Sequence, residues 1–203
     1  MKCLALAFFL LATPALAAQA ETLCAGNPAF SPTVMLAVVR AQMLRDHDPA
    51  LDADTPEHLA DAATAQGIAE CAADLRADPS IATALSGLKP ADLQVGWDAY
   101  NTACSDRHAG RGACMAAEIG SAAALKRMMG TGGPPAGRTL VQACALVLQT
   151  DPAMADWRQC VDLSLAVHPT EDAAKRCKLS ASWHSAHTGA EAGRILAMCL
   201  QHG

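Results

Sequence analysis

Cysteine placement constrains this chain more than any other feature. Cys3 stands alone near the N-terminus, and eight more, Cys24, Cys71, Cys104, Cys114, Cys144, Cys160, Cys177 and Cys199, are spread along the rest. Whether these are thiols or disulfides depends on the compartment, and the N-terminus speaks to that. Lys2 gives a positive start, residues 3 to 11 run unbroken and apolar, and Pro14 interrupts them. Small-x-small sites follow at Ala15-Leu16-Ala17 and Ala18-Gln19-Ala20. This order reads as a secretory signal peptide over residues 1–20, cleaved near Ala20. The apolar run is shorter than the roughly 20 residues a membrane helix needs, and no later run approaches that length, so no transmembrane segment is expected. A lipid anchor at Cys24 would want a small residue before it, where Glu21-Thr22-Leu23 stands. The expected location is periplasmic or secreted, and loss of Cys3 with the leader leaves an even set, the mark of a disulfide framework.

Helix punctuation organises the remainder. Ser31-Pro32 opens a first helix, with Val34, Met35, Val38 and Met43 at apolar spacing up to Asp46. Thr55-Pro56-Glu57 opens a second, which Asp78-Pro79 stops. After a short segment near Ile81, Leu93, Trp97, Tyr100 and Cys104 recur on one helical face. Residues 113–129 look helical, weakened by Gly120. Beyond them lies the clearest linker, Gly- and Pro-rich, at 130–138. Leu140 to Gln149 follows, then a helix opened by Asp151-Pro152, another after His168-Pro169-Thr170, and a last one behind the capping box Thr188-Gly189-Ala190-Glu191. Strand signals are nearly absent, and alanine, the best helix former, dominates. The expected fold is all-α, with helical hairpins at 21–129 and again at 139–203.

Eight cysteines allow roughly a hundred pairings, but the turns narrow the choice. In an antiparallel helical hairpin, residues equally far from the turn lie side by side, so the midpoint of a bridge should fall in a turn. Pairing neighbours meets this condition four times. Cys24 with Cys71 centres on Asp46-His47-Asp48-Pro49, Cys104 with Cys114 on Ala109, Cys144 with Cys160 on Pro152, and Cys177 with Cys199 on Thr188. The expectation is therefore disulfide-stapled antiparallel hairpins, as a bundle or a short solenoid-like array. Aromatics make up only 3% of the chain, and alanines bury little area, so such staples have a physical purpose.

The stretch Trp97 to Cys104, continuing through Gly112-Ala113-Cys114, resembles Sel1-like cysteine-rich secreted helical repeat proteins over about residues 97–120. Those carry a Tyr-x-x-Ala-Cys helix end, here Tyr100 to Cys104, and a second cysteine opening the next helix, here Cys114. The two cysteines lie further apart than is usual there, and Gly120 lies further from its cysteine. The resemblance implies a protein-interaction solenoid.

Candidate chemistry is sparse. Trp183-His184-Ser185-Ala186-His187 brings two imidazoles near Cys177 and Cys199, and with both cysteines reduced this could form a tetrahedral zinc site. In an oxidising compartment the sulfurs are instead expected to pair, leaving His184 and His187 as histidines beside a turn. Asp46, His47, Asp48, Asp52, Asp54 and His58 crowd the first interhelical loop without the glycine and terminal Glu of a calcium loop. No nucleophile elbow, zinc-protease helix, phosphate loop or Cys-x-x-Cys pair occurs, so the sequence designates no catalytic residue and no cofactor. The net charge of −5 comes without a basic cluster, which argues against nucleic acid as a partner. Trp97, Trp157 and Trp183 are core anchors if buried and interface anchors if exposed. The expected function is that of a non-enzymatic periplasmic module binding another envelope protein or stabilising an envelope complex. The alternative is a metal- or small-molecule-binding protein using the histidine-bearing loops.

Overall fold

The computed structural model describes residues 18–46, 55–107, 110–148 and 152–202. The fold is all-α and disulfide-rich, with no strand among the described residues. Its contacts divide into two compact units, Met1–Ala113 and Cys114–Gly203.

In the first unit a short helix at 18–25 (α1) leads through a 3-10 turn, Pro28–Phe30, into α2, Pro32–Asp46. Then come α3 (Pro56–Ala77), α4 (Pro79–Ser86), α5 (Pro90–Asp98) and a π-helical turn, Ala99–Ala103. The punctuation acts as its chemistry requires. Thr55 accepts from the His58 N–H at 3.3 Å with Pro56 at the first helical position, and Asp78 accepts from the Ser80 N–H at 3.0 Å with Pro79 next. At 22 residues, α3 spans about 33 Å, long enough to lie along α2 and continue to α1. Its last turns build the core of this unit with α4 and α5: Cys71, Ala72, Leu75, Ile81, Leu85 and Trp97 are buried. By contrast, no described side chain of α2 is buried. Phe30 packs so close to Gly67 that a Cβ there would lie 2.8 Å from the ring, so only glycine lets the turn before α2 sit down on α3.

The second unit takes in most of α6 (Arg111–Met129), then α7 (Gly137–Val147), α8 (Met154–Leu165), α9 (Glu171–Ala181) and α10 (Gly189–His202). Its main pairings skip a helix: α10 lies chiefly on α8, and α9 on α7, while α7 also packs on α8. Leu125, Leu140, Val141, Val147, Val161 and Leu196 form the core, filled in by alanines. At Gly189 a Cβ would sit 2.0 Å from the Asp156 carbonyl oxygen, which shows how closely the start of α10 approaches α8.

Three expectations need correction. The Gly/Pro stretch 130–138 is not a joint between domains: Leu125 and Met128 share a core with α7, and Arg138 donates to the Met129 carbonyl, so the stretch is a turn inside one unit. The boundary lies instead between Ala113 and Cys114. The helix expected behind Asp151-Pro152 begins at Met154, with Ala153 at the N-cap and no cap from its own side chain. The buried Glu118 of α6 supplies that cap from a distance, accepting from the Met154 and Ala155 N–H groups at 2.6 and 3.2 Å. Finally, the helix opened by Ser31-Pro32 is not the first: α1 precedes it and carries Cys24, so the bridge to Cys71 ties α1 to α3.

Candidate functional site

The sulfurs account for the most chemically distinctive residues. Cys24 bonds Cys71, Cys144 bonds Cys160 and Cys177 bonds Cys199, with Cα separations of 5.9, 6.0 and 5.8 Å. Cys104 and Cys114 are disulfide-bonded as well. An oxidised cysteine is neither a nucleophile nor a metal ligand, so these eight residues hold the fold together.

The densest polar cluster lies in the first unit, where α3, the π turn and the start of α6 meet. The turn closes with the Cys104 N–H donating to the Ala99 carbonyl at 2.8 Å, five residues back, and such π turns are frequent at special positions. It presents Tyr100 inward. The Tyr100 hydroxyl donates to Asp74 Oδ2 at 2.8 Å. Arg111 donates through Nη1 to the same oxygen and through Nη2 to the Tyr100 carbonyl, each at 2.7 Å. Its guanidinium carbon lies 3.8 Å from the Tyr100 ring centroid, and Trp97 meets that ring edge-on at 5.7 Å. Burial, and then the hydrogen bond to Asp74, push the Tyr100 phenol well above its ordinary value near 10. The group therefore stays protonated as a donor, and the arrangement works as a latch that commits the hydroxyl, the carboxylate and two guanidinium nitrogens to one another. Beside it Asn27 and Asn101 exchange amide hydrogen bonds at 3.1 and 3.0 Å, fastening the 3-10 turn to the π turn. Sequence reasoning missed Asp74, Arg111, Asn27 and Asn101, since partners 37 and 74 residues apart leave no local pattern.

The three tryptophans divide. Trp97 is buried within that cluster. Trp157 is partly buried against the core of the second unit, and its Nε1–H donates to the Val141 carbonyl at 3.0 Å. Both anchor cores and are not interface anchors. Trp183 is 87% exposed, and Leu179, one helical turn earlier, is 78% exposed. They sit at the C-terminal end of α9, whose opposite face is fixed by the buried Ala174, Cys177 and Ala181. The segment after it is also held: the Ala186 N–H donates to the Val147 carbonyl at 2.8 Å. Of the cations on α9, Lys175 is paired with Glu171 at 3.0 Å, while Lys178, next to Leu179 in the chain, donates to Gln142. Leu179 near the end of α9 and Trp183 in the turn just beyond it thus form an exposed apolar tip with Lys178 beside it.

His184 and His187 are exposed beside this tip. The oxidised Cys177–Cys199 pair withdraws both sulfurs of the four-ligand zinc arrangement, and among the described residues no three His, Cys, Asp or Glu side chains gather as a metal site. Most of the acid- and histidine-rich first loop, 47–54, lies outside the described residues. No described helix is long and apolar enough to cross a membrane.

A disulfide-stapled all-α scaffold with one exposed aromatic tip is thus the class of structure in hand. Compared with protein-family models, with curated proteins and with solved structures, the chain matches none.

Proposed function

We propose that this chain is exported to the periplasm and acts there as a non-enzymatic interaction module, docking an envelope protein onto the Leu179–Trp183 tip. The observation that carries the reading is the exposure of Trp183. Large aromatics concentrate binding energy, and one left almost wholly in water on a rigid mount has a cost that a partner would relieve. Lys178 beside Leu179 adds the partner's chemistry: an apolar pocket with a carboxylate at its rim. The disulfides support the oxidising compartment. A helix segment ending at Tyr100 to Cys104, with Cys114 early in α6, is in keeping with the Sel1-like resemblance and its interaction role.

A photo-cross-linking residue placed at position 183, with the exposed position 202 as control, tests this in intact cells. The expected result is a discrete adduct at 183 alone, weakened by Lys178→Glu. Equal labelling at both positions, or none at 183, overturns the proposal.

A further inference from the structure

The two small-x-small sites near the N-terminus are equivalent as sequence, yet they have different consequences for the folded protein. Cleavage after Ala20 would leave only Glu21, Thr22 and Leu23 ahead of Cys24. Those three residues fall short of the four needed for the first helical hydrogen bond to the N–H of Cys24, the residue whose sulfur closes the bridge to Cys71. Cleavage after Ala17 keeps Ala18, Gln19 and Ala20, and the structure gives all three an occupation. They are helical residues of α1. Ala20 is only 4% exposed, although a residue discarded with a leader has no reason to be buried in the fold. Gln19 and Ala20 line one side of a recess completed by Leu75 and Arg76 of α3 and by Pro79 and Ala82 of α4. Thr22 Oγ1 donates to the Ala18 carbonyl at 2.8 Å, a bond that exists only while Ala18 remains attached.

We infer that signal peptidase cuts this chain after Ala17, and that Ala18-Gln19-Ala20 belong to the mature protein as the opening turn that seats Cys24 against α3. The inference rests on the export reading above and moves the end of the leader from 20 to 17. In the cleavage step water adds across the Ala17–Ala18 peptide bond, releasing a carboxylate on Ala17 and an α-amino group on Ala18. That amine becomes the N-terminus of α1.

Expression of the full chain in a bacterium, followed by N-terminal sequencing and intact mass of the periplasmic protein, decides the matter. The expected N-terminus is Ala18-Gln19-Ala20-Glu21. A start at Glu21 overturns the inference while leaving export intact, whereas a chain retaining Met1 in the cytoplasm overturns export and this inference with it. Stability gives an independent reading. Protein purified with Ala18 as its first residue should melt at a higher temperature than protein beginning at Glu21, and equal melting temperatures would remove the structural basis for preferring the earlier cut.

Discussion

Helices α2 and α7 are both alanine- and valine-bearing segments set in hairpins, yet they are held in opposite ways. Six of the eleven residues of α7 are buried, Leu140 completely. None of the described side chains of α2 is buried, and Val34, Val38 and Leu44 face solvent. Area removed from water therefore holds α7 strongly and α2 weakly, through the partly covered Met35, Leu36, Val39 and Met43 on the side toward α3. To that face are added the Cys24–Cys71 bond behind α2, Phe30 against Gly67, and an exposed Arg40–Glu57 ion pair at 2.8 Å, a kind of contact that contributes little. The contrast teaches that bridges occur with either kind of support: α7 carries Cys144 within a fully buried face, whereas the Cys24–Cys71 bond stands behind a helix whose face is only partly covered.

The largest effect should come from removing that chemistry. Replacing Cys24 and Cys71 together by serine releases a 47-residue loop, for which the chain-entropy account gives about 4 kcal/mol of lost stability, against about 3 kcal/mol for the 16-residue loop of Cys144 and Cys160. Hydrogen exchange should then show α2 and the first half of α3 losing protection while α7 keeps its own. Unchanged protection in α2 would break the comparison.

Side-chain truncation sharpens it further. Leu140→Ala should cost about 3 kcal/mol in denaturant unfolding, and Val38→Ala less than about 0.5 kcal/mol. Equal costs would mean that the outer face of α2 is covered after all.

A smaller effect than that of Leu140 comes from the latch, and it reports on the first unit alone because Tyr100 is the single tyrosine. A phenol whose folded pKa lies above its unfolded value stabilises the fold fully below about pH 10, and that contribution is lost as the pH rises further. Absorbance titration should show no phenolate near pH 10 while the protein is folded. Tyr100→Phe should cost about 1 kcal/mol at neutral pH and flatten the alkaline loss. A normal tyrosine titration in folded protein would show that the Tyr100 hydroxyl is neither buried nor held by Asp74 in solution.

Much of the helix order was legible because caps are local: Thr55-Pro56 announces α3 and Asp78-Pro79 its end, although the same pair also caps α4, where the sequence signals only a short segment near Ile81. Even the box at Thr188 carries a variation, since Glu191 reaches back to the His187 N–H while Thr188 Oγ1 accepts from the Glu191 N–H. The midpoint argument selected Cys71 for Cys24 although α2 intervenes, because α3 is long enough to run back past it. What could not be read depended on distance in sequence. Glu118 caps a helix 36 residues away, and nothing near Ala153 signals it. The π turn was hidden because four-three-four spacing through Trp97, Tyr100 and Cys104 looks like an ordinary helical face, and the extra residue shows only in which carbonyl Cys104 reaches. Glycine and proline at 130–138 report a bend in the backbone, and a bend says nothing about whether Leu125 still packs across it. Of the site, the sequence singled out Trp183 but weighed it equally with Trp97 and Trp157, because burial is a property of the assembled fold.

The order of the sulfurs has a consequence for how the chain matures. No other cysteine lies between 24 and 71, between 144 and 160, or between 177 and 199. On the export proposed above, with a leader that takes Cys3 away, a polypeptide oxidised N-terminus first offers each of these first thiols its native partner as the next cysteine to arrive. Simple arrival order then yields the correct cross-links, with no reshuffling step among them.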